Sequence, residues 1–515
     1  MSKPRNLPVL FVLGALLNAC AMDPPPEFDA SDSFDDSVGY RIEIDRFFDG
    51  DASNNAPVAM VEYATNYQGG DLKGILEKIE AGYFSELGVS LLILSSPVDG
   101  PEGKALRSDG HYSSGYHGQW PVSVDQMEGR FGTEEQLASL VAAAHEQGIR
   151  VIMEYEANHV HSDSPVYQNH VDWFWPLQLL GSDISWDAPD AQKGWVAPYV
   201  PDFHFSDVGA ARSACAEWAA SWAKNLDLDG FLLHHAQLID SRWLPGLFTA
   251  LSGELSSDKA GDFRLLGNVF SNSAEVLNSY IGESSLDGQT DYPLRAAIIE
   301  TILLRSYPLA DLGTFLADNQ DRYSGVMLNT LGSTLHPRAI HYAVDTPHWN
   351  NPWDSGESLS WNGQPDLPAE DAAFQRMKAA FSVVFSLKGI PLILYGDEIG
   401  LPGAGDPDNR RFMTWGSLSS GQAALKAHVA KLASVRAAHP ALRRGDLTIL
   451  DSSPETLVFR RRTSGDTVYV VINRDDTEHE AGGLPAQTLT DAVDNGVFSG
   501  PTVTVPPRSV LILLP

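Results

Sequence analysis

The chain has 515 residues, 43% of them hydrophobic and 20% charged, which is room for two or three domains and excludes wholesale disorder. With 35 basic against 67 acidic side chains its formal charge is −32, so its surface repels polyanions and nucleic acid is excluded as a partner. The plain consequence of such a charge is solubility.

Lys3 and Arg5 precede a short apolar run, Leu7 to Leu17, too short to span a bilayer, and the pattern is that of an export signal over residues 1–19. Leu17-Asn18-Ala19-Cys20 resembles a bacterial lipobox, which implies lipidation of Cys20, although a plain cleaved signal with a chance cysteine gives the same pattern. The expected location is the bacterial cell envelope, held by a lipid anchor at the outer membrane or facing the periplasm. Cys215 would then be the one remaining cysteine, which leaves no intramolecular disulfide.

Residues 20–38, rich in Pro, Asp and Ser, read as a linker. From residue 39, short apolar runs alternate with amphipathic ones. Strands are expected over 41–47, 89–94, 150–155, 230–235, 265–270, 286–292, 326–328 and 391–395. Helices are expected over 71–87, 133–147, 208–225 and 372–387. Eight strand–helix units predict an α/β fold, a (β/α)8 TIM barrel over 39–440. An aromatic- and Pro-rich insertion of about residues 160–204 follows the third strand. Short β-rich runs over 441–515 predict a C-terminal antiparallel β domain.

Several segments in this order resemble glycoside hydrolase family 13, the α-amylase family. They are Asp45 to Asp51, Asn66 to Leu72, Tyr116 to Trp120, Glu154 to His159, Pro201 to Phe203 and Tyr395 to Glu398. The resemblance implies domain A for the barrel, domain B for the insertion and domain C for the tail. It also implies carbohydrate metabolism or binding, with α-glucan or an oligosaccharide as ligand.

A retaining glycosidase needs a carboxylate nucleophile and a carboxylic acid about 5–5.5 Å apart. The family places the nucleophile in a Gly-Phe-Arg-x-Asp pattern. Here the stretch is Gly230-Phe231-Leu232-Leu233-His234, and the acid-bearing Gly-Glu pair is Gly267-Asn268. Anchored on Pro337-Arg338, the family's Asn-His-Asp falls on Ser333, Thr334 and Leu335. His234, Asn268 and Leu335 therefore stand where the catalytic carboxylates belong. An amide donates no proton at neutral pH, and a leucine stabilises no cation. A stacking aromatic is replaced by Gln119, and a Lys-His pair by Gln237-Leu238. The expectation is an inactive, glucan-binding or accessory lipoprotein, with an envelope protein as a further candidate partner. An enzyme with unorthodox residues and a structural protein without ligand are the alternatives.

Among the residues that would hold sugar, His117, Trp120 and His159 keep the family's types, and Trp173, Trp175 and Tyr199 add aromatic surface; each is equally compatible with packing. Asp49, Asp51, Asn54, Asn55, Gly69 and Asp71 resemble the calcium loop of cyclodextrin-forming members, in a spacing that suits an oxygen-liganded Ca2+. Capping is the competing role for Asp71. Asn158 and Asp202 match part of a second calcium site. His234 and His235, close to His117 and His159, form a histidine cluster of the type that binds zinc or copper. On a regular strand, however, only one of two successive residues faces the axis.

Overall fold

The computed structural model describes residues 33–515, apart from 187, 189, 283, 284 and 320. The export signal, the lipobox with Cys20 and most of the linker lie outside the described residues. Eight parallel strands close into a barrel: β1 Gly39–Ile42, β2 Leu91–Leu94, β3 Arg150–Tyr155, β4 Gly230–Leu233, β5 Arg264–Gly267, β6 Gly288–Thr290, β7 Val326–Thr330 and β8 Ile390–Leu394. Each pairs with its sequence neighbours and β1 closes on β8, as a (β/α)8 barrel requires.

The strands are short and apolar because both faces are buried. One set of side chains fills the barrel: Leu91, Ile93, Ile152, Leu232, Leu266, Leu328, Ile390 and Leu392 among them. The alternate set, for instance Tyr40, Leu92, Val151, Phe231 and Leu265, packs outward against the helices. Phe34 joins the inner cluster, and Asp36 pairs with Arg443 at 3.3 Å and with Arg444. The end of the expected linker, residues 33–38, is thus packed against the fold, because an apolar ring placed at the barrel axis withdraws from water.

Helices cover the outside: α1 Leu72–Glu80, α2 Glu134–Glu146, α3 Gly209–Asn225, α4 Asp371–Ser386 and α5 Ser420–Ala438. Thr133 and Gln136 form a capping box at the start of α2, and Ser419 and Gln422 another at α5. The helix expected over 71–87 breaks after Glu80, since Gly82 takes φ 78° and a new turn begins at Tyr83. The first strand is shorter than expected, because Ile44–Phe47 turn into a single helical turn. The last 70 residues form a six-stranded antiparallel sheet. Its strands are β9 Asp446–Ser452, β10 Thr456–Arg462, β11 Thr467–Asn473, β12 Thr488–Asp491, β13 Val497–Ser499 and β14 Ser509–Leu514, in the order β9-β10-β11-β14-β12-β13. Phe459, Val470 and Ile512 on one face continue the barrel's outer core, whereas Val458, Val471 and Leu513 enclose a separate core with Val503 and Val505.

Candidate functional site

The alternation that sends Leu232 inward on β4 brings His234 inward one step beyond the strand end, and the same alternation on β5 brings Asn268 in after Leu266. On β3 it carries Ile152, Glu154 and Glu156 inward, and on β1 Arg41 followed by Glu43. A polar layer therefore caps the apolar barrel at the carboxyl ends of the strands, the end at which barrels of this kind bind ligands.

Within that layer most charges are already matched. Arg41 pairs with Glu154, and Arg410 reaches Glu43 at 3.4 Å. Burial raises the Glu43 carboxyl to about 7, against the pull of Arg410. His234 is buried, and burial together with His235 and Arg41 holds it neutral, well below the usual imidazole range. Its Nε2 lies 3.2 Å from Gln119 Nε2. Asn268 Oδ1 accepts a hydrogen bond from the Tyr292 hydroxyl at 2.9 Å. Leu335 is 38% exposed, whereas Ser333 and Thr334 are buried. The three positions thus present an imidazole, a committed amide and an isobutyl group.

The three expected sugar contacts cluster on the loop that carries Gln119. His117 and Trp120 meet edge to face at 4.5 Å, and Tyr199 packs on Trp120 at 5.0 Å. Gly118 holds this turn with φ 71°, where a Cβ would meet Ser96 O at 2.1 Å. His159 Nε2 stands 2.9 Å from Gln119 O, so the ring donates to the main chain of that loop. Trp175 lies against His204 and Trp173 against His170, away from this cluster's ring contacts. The structure adds a platform that sequence reasoning missed: Phe270 is 43% exposed beside Trp353 at 5.5 Å and Tyr292 at 5.2 Å. Phe270 was legible as a residue two beyond Asn268, but Trp353 comes from a distant loop with no local signal.

The calcium loop converges in part. Asn55 Nδ2 donates to Asp49 Oδ2 at 2.7 Å, and Gly69 fits closely over Asn55, since a Cβ there would stand 2.6 Å from Asn55 Oδ1. Asn54 Oδ1 is buried without a donor, which suits a cation ligand. Asp51 Oδ1, however, is taken by the Ser53 N–H and hydroxyl at 3.1 and 2.6 Å. Asp71 acts as N-cap of α1, accepting from Gly74 N at 2.6 Å and Asp51 N at 2.8 Å. Among the described residues, Asp49, Asp51 and Asp71 do not bring three carboxylate oxygens within 4.8 Å of one another. Backbone donors already occupy two of these carboxylates, Asp51 and Asp71.

The second pair, Asn158 and Asp202, is brought together by the fold. One end of the Asn158 side-chain amide stands 3.2 Å from Asp202 Oδ1 and 3.0 Å from the Leu238 carbonyl oxygen, and turned with its nitrogen there it donates to both. Asp202 Oδ2 is also buried without a partner. Burial and the nearby Glu156 push the Asp202 carboxyl well above its ordinary range. Either the Asn158 amide is turned to donate, or a cation sits among these oxygens.

Residues 31–439 match the family model of the alpha-amylase catalytic domain. A cyclomaltodextrin glucanotransferase of Geobacillus stearothermophilus is 26% identical over 502 residues, covering 92% of this chain and 65% of that protein. A cyclomaltodextrinase of Thermoanaerobacter pseudethanolicus is 26% identical, covering 85% of this chain and 70% of its own length. The chain thus spans about two thirds of the length of such curated relatives. Among solved structures, the α-amylase of Geobacillus thermoleovorans complexed with acarbose superposes with a TM-score of 0.77 at 25% identity, covering 94% of this chain and 98% of the other. An Anoxybacillus α-amylase, at 23% identity, shares the fold with the same TM-score.

Proposed function

The chain belongs to the alpha-amylase family, and we propose that it has given up the family's hydrolysis and acts as a glucan-binding or accessory protein of the cell envelope. One observation carries this reading. Where the ends of β4 and β5 and the loop after β7 meet the barrel mouth, the side chains are His234, Asn268 and Leu335, none with a carboxyl group. Of the carboxylates that enter the mouth, Glu154 and Glu156 are held by Arg41 and His235, and Glu43 lies 3.4 Å from Arg410.

Glucan as the ligand rests on two aromatic groups flanking that mouth, His117–Trp120–Tyr199 and Phe270–Trp353. Sugar rings can stack their apolar C–H faces on such aromatic faces. The test is calorimetric titration of the purified mature chain with maltooligosaccharides and cyclodextrins, with and without calcium. Saturable binding is expected, weakened roughly tenfold by Phe270→Ala or Trp353→Ala. No binding at millimolar ligand would leave a structural or protein-binding role in the envelope.

A second reading, an enzyme with unorthodox residues, has one observation in its favour: Glu43, held near 7, keeps a proton available at neutral pH. Its glucan hydrolysis would vanish in Glu43→Gln.

Calcium belongs to the same proposal, with Asn158, Asp202 and the Leu238 carbonyl as one site and Asp49, Asn54, Asn55 and Gly69 as the other. A ligand bound only by the folded state adds about 2.7 kcal/mol at a hundredfold excess over its dissociation constant. Chelator is therefore expected to lower the melting temperature. Asp202→Ala and Asn54→Ala each remove part of that response, and a melting curve indifferent to chelator would rule both sites out.

The lipid anchor at Cys20 is proposed from the sequence alone. Mass spectrometry of the mature N-terminus should find acylated Cys20, and an unmodified terminus elsewhere would end the claim.

A further inference from the structure

Among the described residues, one group of side chains brings three metal-ligating atoms within 4.8 Å of one another: Glu156, His234 and His235. It uses both successive histidines, against the expectation that a strand turns only one of them inward. β4 ends at Leu233, and His235 takes φ 49°, a left-handed turn that swings its ring back toward the axis. His234 Nδ1 and His235 Nδ1 are 3.1 Å apart, His235 Nδ1 is 2.8 Å from Glu156 Oε2, and His234 Nδ1 is 3.9 Å from the same oxygen.

With the Gln119 amide as it stands, hydrogen bonding alone does not close this arrangement. A ring nitrogen has a single in-plane lobe, which either carries a proton or offers a lone pair. If Gln119 Nε2 donates to His234 Nε2, the proton of that ring sits on Nδ1 and points at His235 Nδ1. That nitrogen would have to accept it and donate to Glu156 through the same lobe. A left-handed backbone at a non-glycine residue is also costly, on the order of 1 kcal/mol, and persists where something holds it.

We propose that Glu156, His234 and His235 bind a divalent transition-metal ion of the zinc class at the barrel mouth. Two imidazoles and one carboxylate are a recognised zinc set that leaves a fourth position for water or an anion. Ligand atoms about 2.0–2.2 Å from a tetrahedral ion are separated by roughly 3.4 Å. The three separations, 2.8, 3.1 and 3.9 Å, bracket that value. An ion at the centre satisfies all three lone pairs at once. It moves the His234 proton to Nε2, where Gln119 accepts it after a half-turn of its amide. His159 Nδ1, 3.7 Å from Glu156 Oε1, faces the carboxylate's other oxygen, and the Asn158 N–H donates to Oε1 at 3.1 Å, orienting it. The site does not depend on whether a glucan binds.

The test uses the mature chain without a histidine tag, in excess calcium so that oxygen-rich positions are filled. Zn2+ is titrated in competition with a chromophoric chelator, and Co2+ is substituted for it. One equivalent of zinc is expected, with a visible cobalt spectrum of tetrahedral type. His234→Ala and Glu156→Gln should each weaken binding on the order of 100-fold, whereas His170→Ala, an exposed histidine outside the group, leaves it unchanged. Absence of zinc binding in excess calcium, or full affinity retained in the His234→Ala/His235→Ala chain, overturns the proposal in favour of a shared proton. If the variants do not fold, the cobalt spectrum of the unaltered chain decides: no tetrahedral band refutes the site.

Discussion

Purified mature protein is expected to release no reducing sugar from α-1,4- or α-1,6-glucans above background, a deficit on the order of 10⁶-fold against an intact catalytic unit. The cause is chemical. Retaining hydrolysis needs one carboxylate to attack and one carboxylic acid to protonate the leaving oxygen. Asn268 holds an amide at the acid's position and spends its oxygen on Tyr292. His234→Asp alone should not rescue activity, because groups that act as a unit lose nearly everything when one is missing. Restored carboxylate there would also lie close to Glu156, which itself stays ionised: burial opposes its charge, but His159 and His235 outweigh burial. A turnover number within a few decades of ordinary glycosidases, traced to this chain, would overturn the reading, and loss of that turnover in Glu43→Gln would assign the acid.

Replacing His428 by Asn is expected to remove about 3 kcal/mol of acid-induced destabilisation between pH 7.5 and pH 4. His428 is half-buried where α5 meets α4, with its Nε2 2.9 Å from Ser382 Oγ. Burial and the charge of Lys378 lower its pKa to about 4, from an ordinary 6.5. A depressed histidine stays neutral in the fold while the unfolded chain takes up a proton, so its stabilisation is complete above 6.5 and is lost as pH falls toward 4. His341, lowered to about 3, and His336, lowered to about 2, act in the same direction. Glu43 acts oppositely: its raised pKa of about 7 favours the fold below the unfolded carboxylate value and is lost as pH rises through 7. The comparison of variant with parent isolates one histidine from these opposing groups. Urea unfolding at both pH values checks it, and an equal pH dependence in parent and variant would refute the assignment.

The sequence determined the barrel because its strands are buried on both faces and so appear as uninterrupted apolar runs, Leu91–Leu94 and Ile390–Leu394 being examples. It also determined which residue types stand at the ends of β4 and β5, since a strand's alternation fixes the facing of His234 and Asn268 from Leu232 and Leu266. Strand ends were less legible. Ile44–Phe47 and His235 leave the extended conformation for reasons that lie in their tertiary neighbours, and period-two reasoning fails where the strand stops. That is why the sequence alone counted one histidine at the axis and the fold delivers two against Glu156. The oxygen sites divide in the same way. Resemblance to a calcium loop singled out Asp49, Asp51 and Asp71, but only the folded backbone decided that Ser53 and the first turn of α1 claim two of those carboxylates. Conversely, Asn158, Asp202 and the Leu238 carbonyl lie far apart in the chain, and they meet because the insertion after β3 folds back over the ends of β3 and β4.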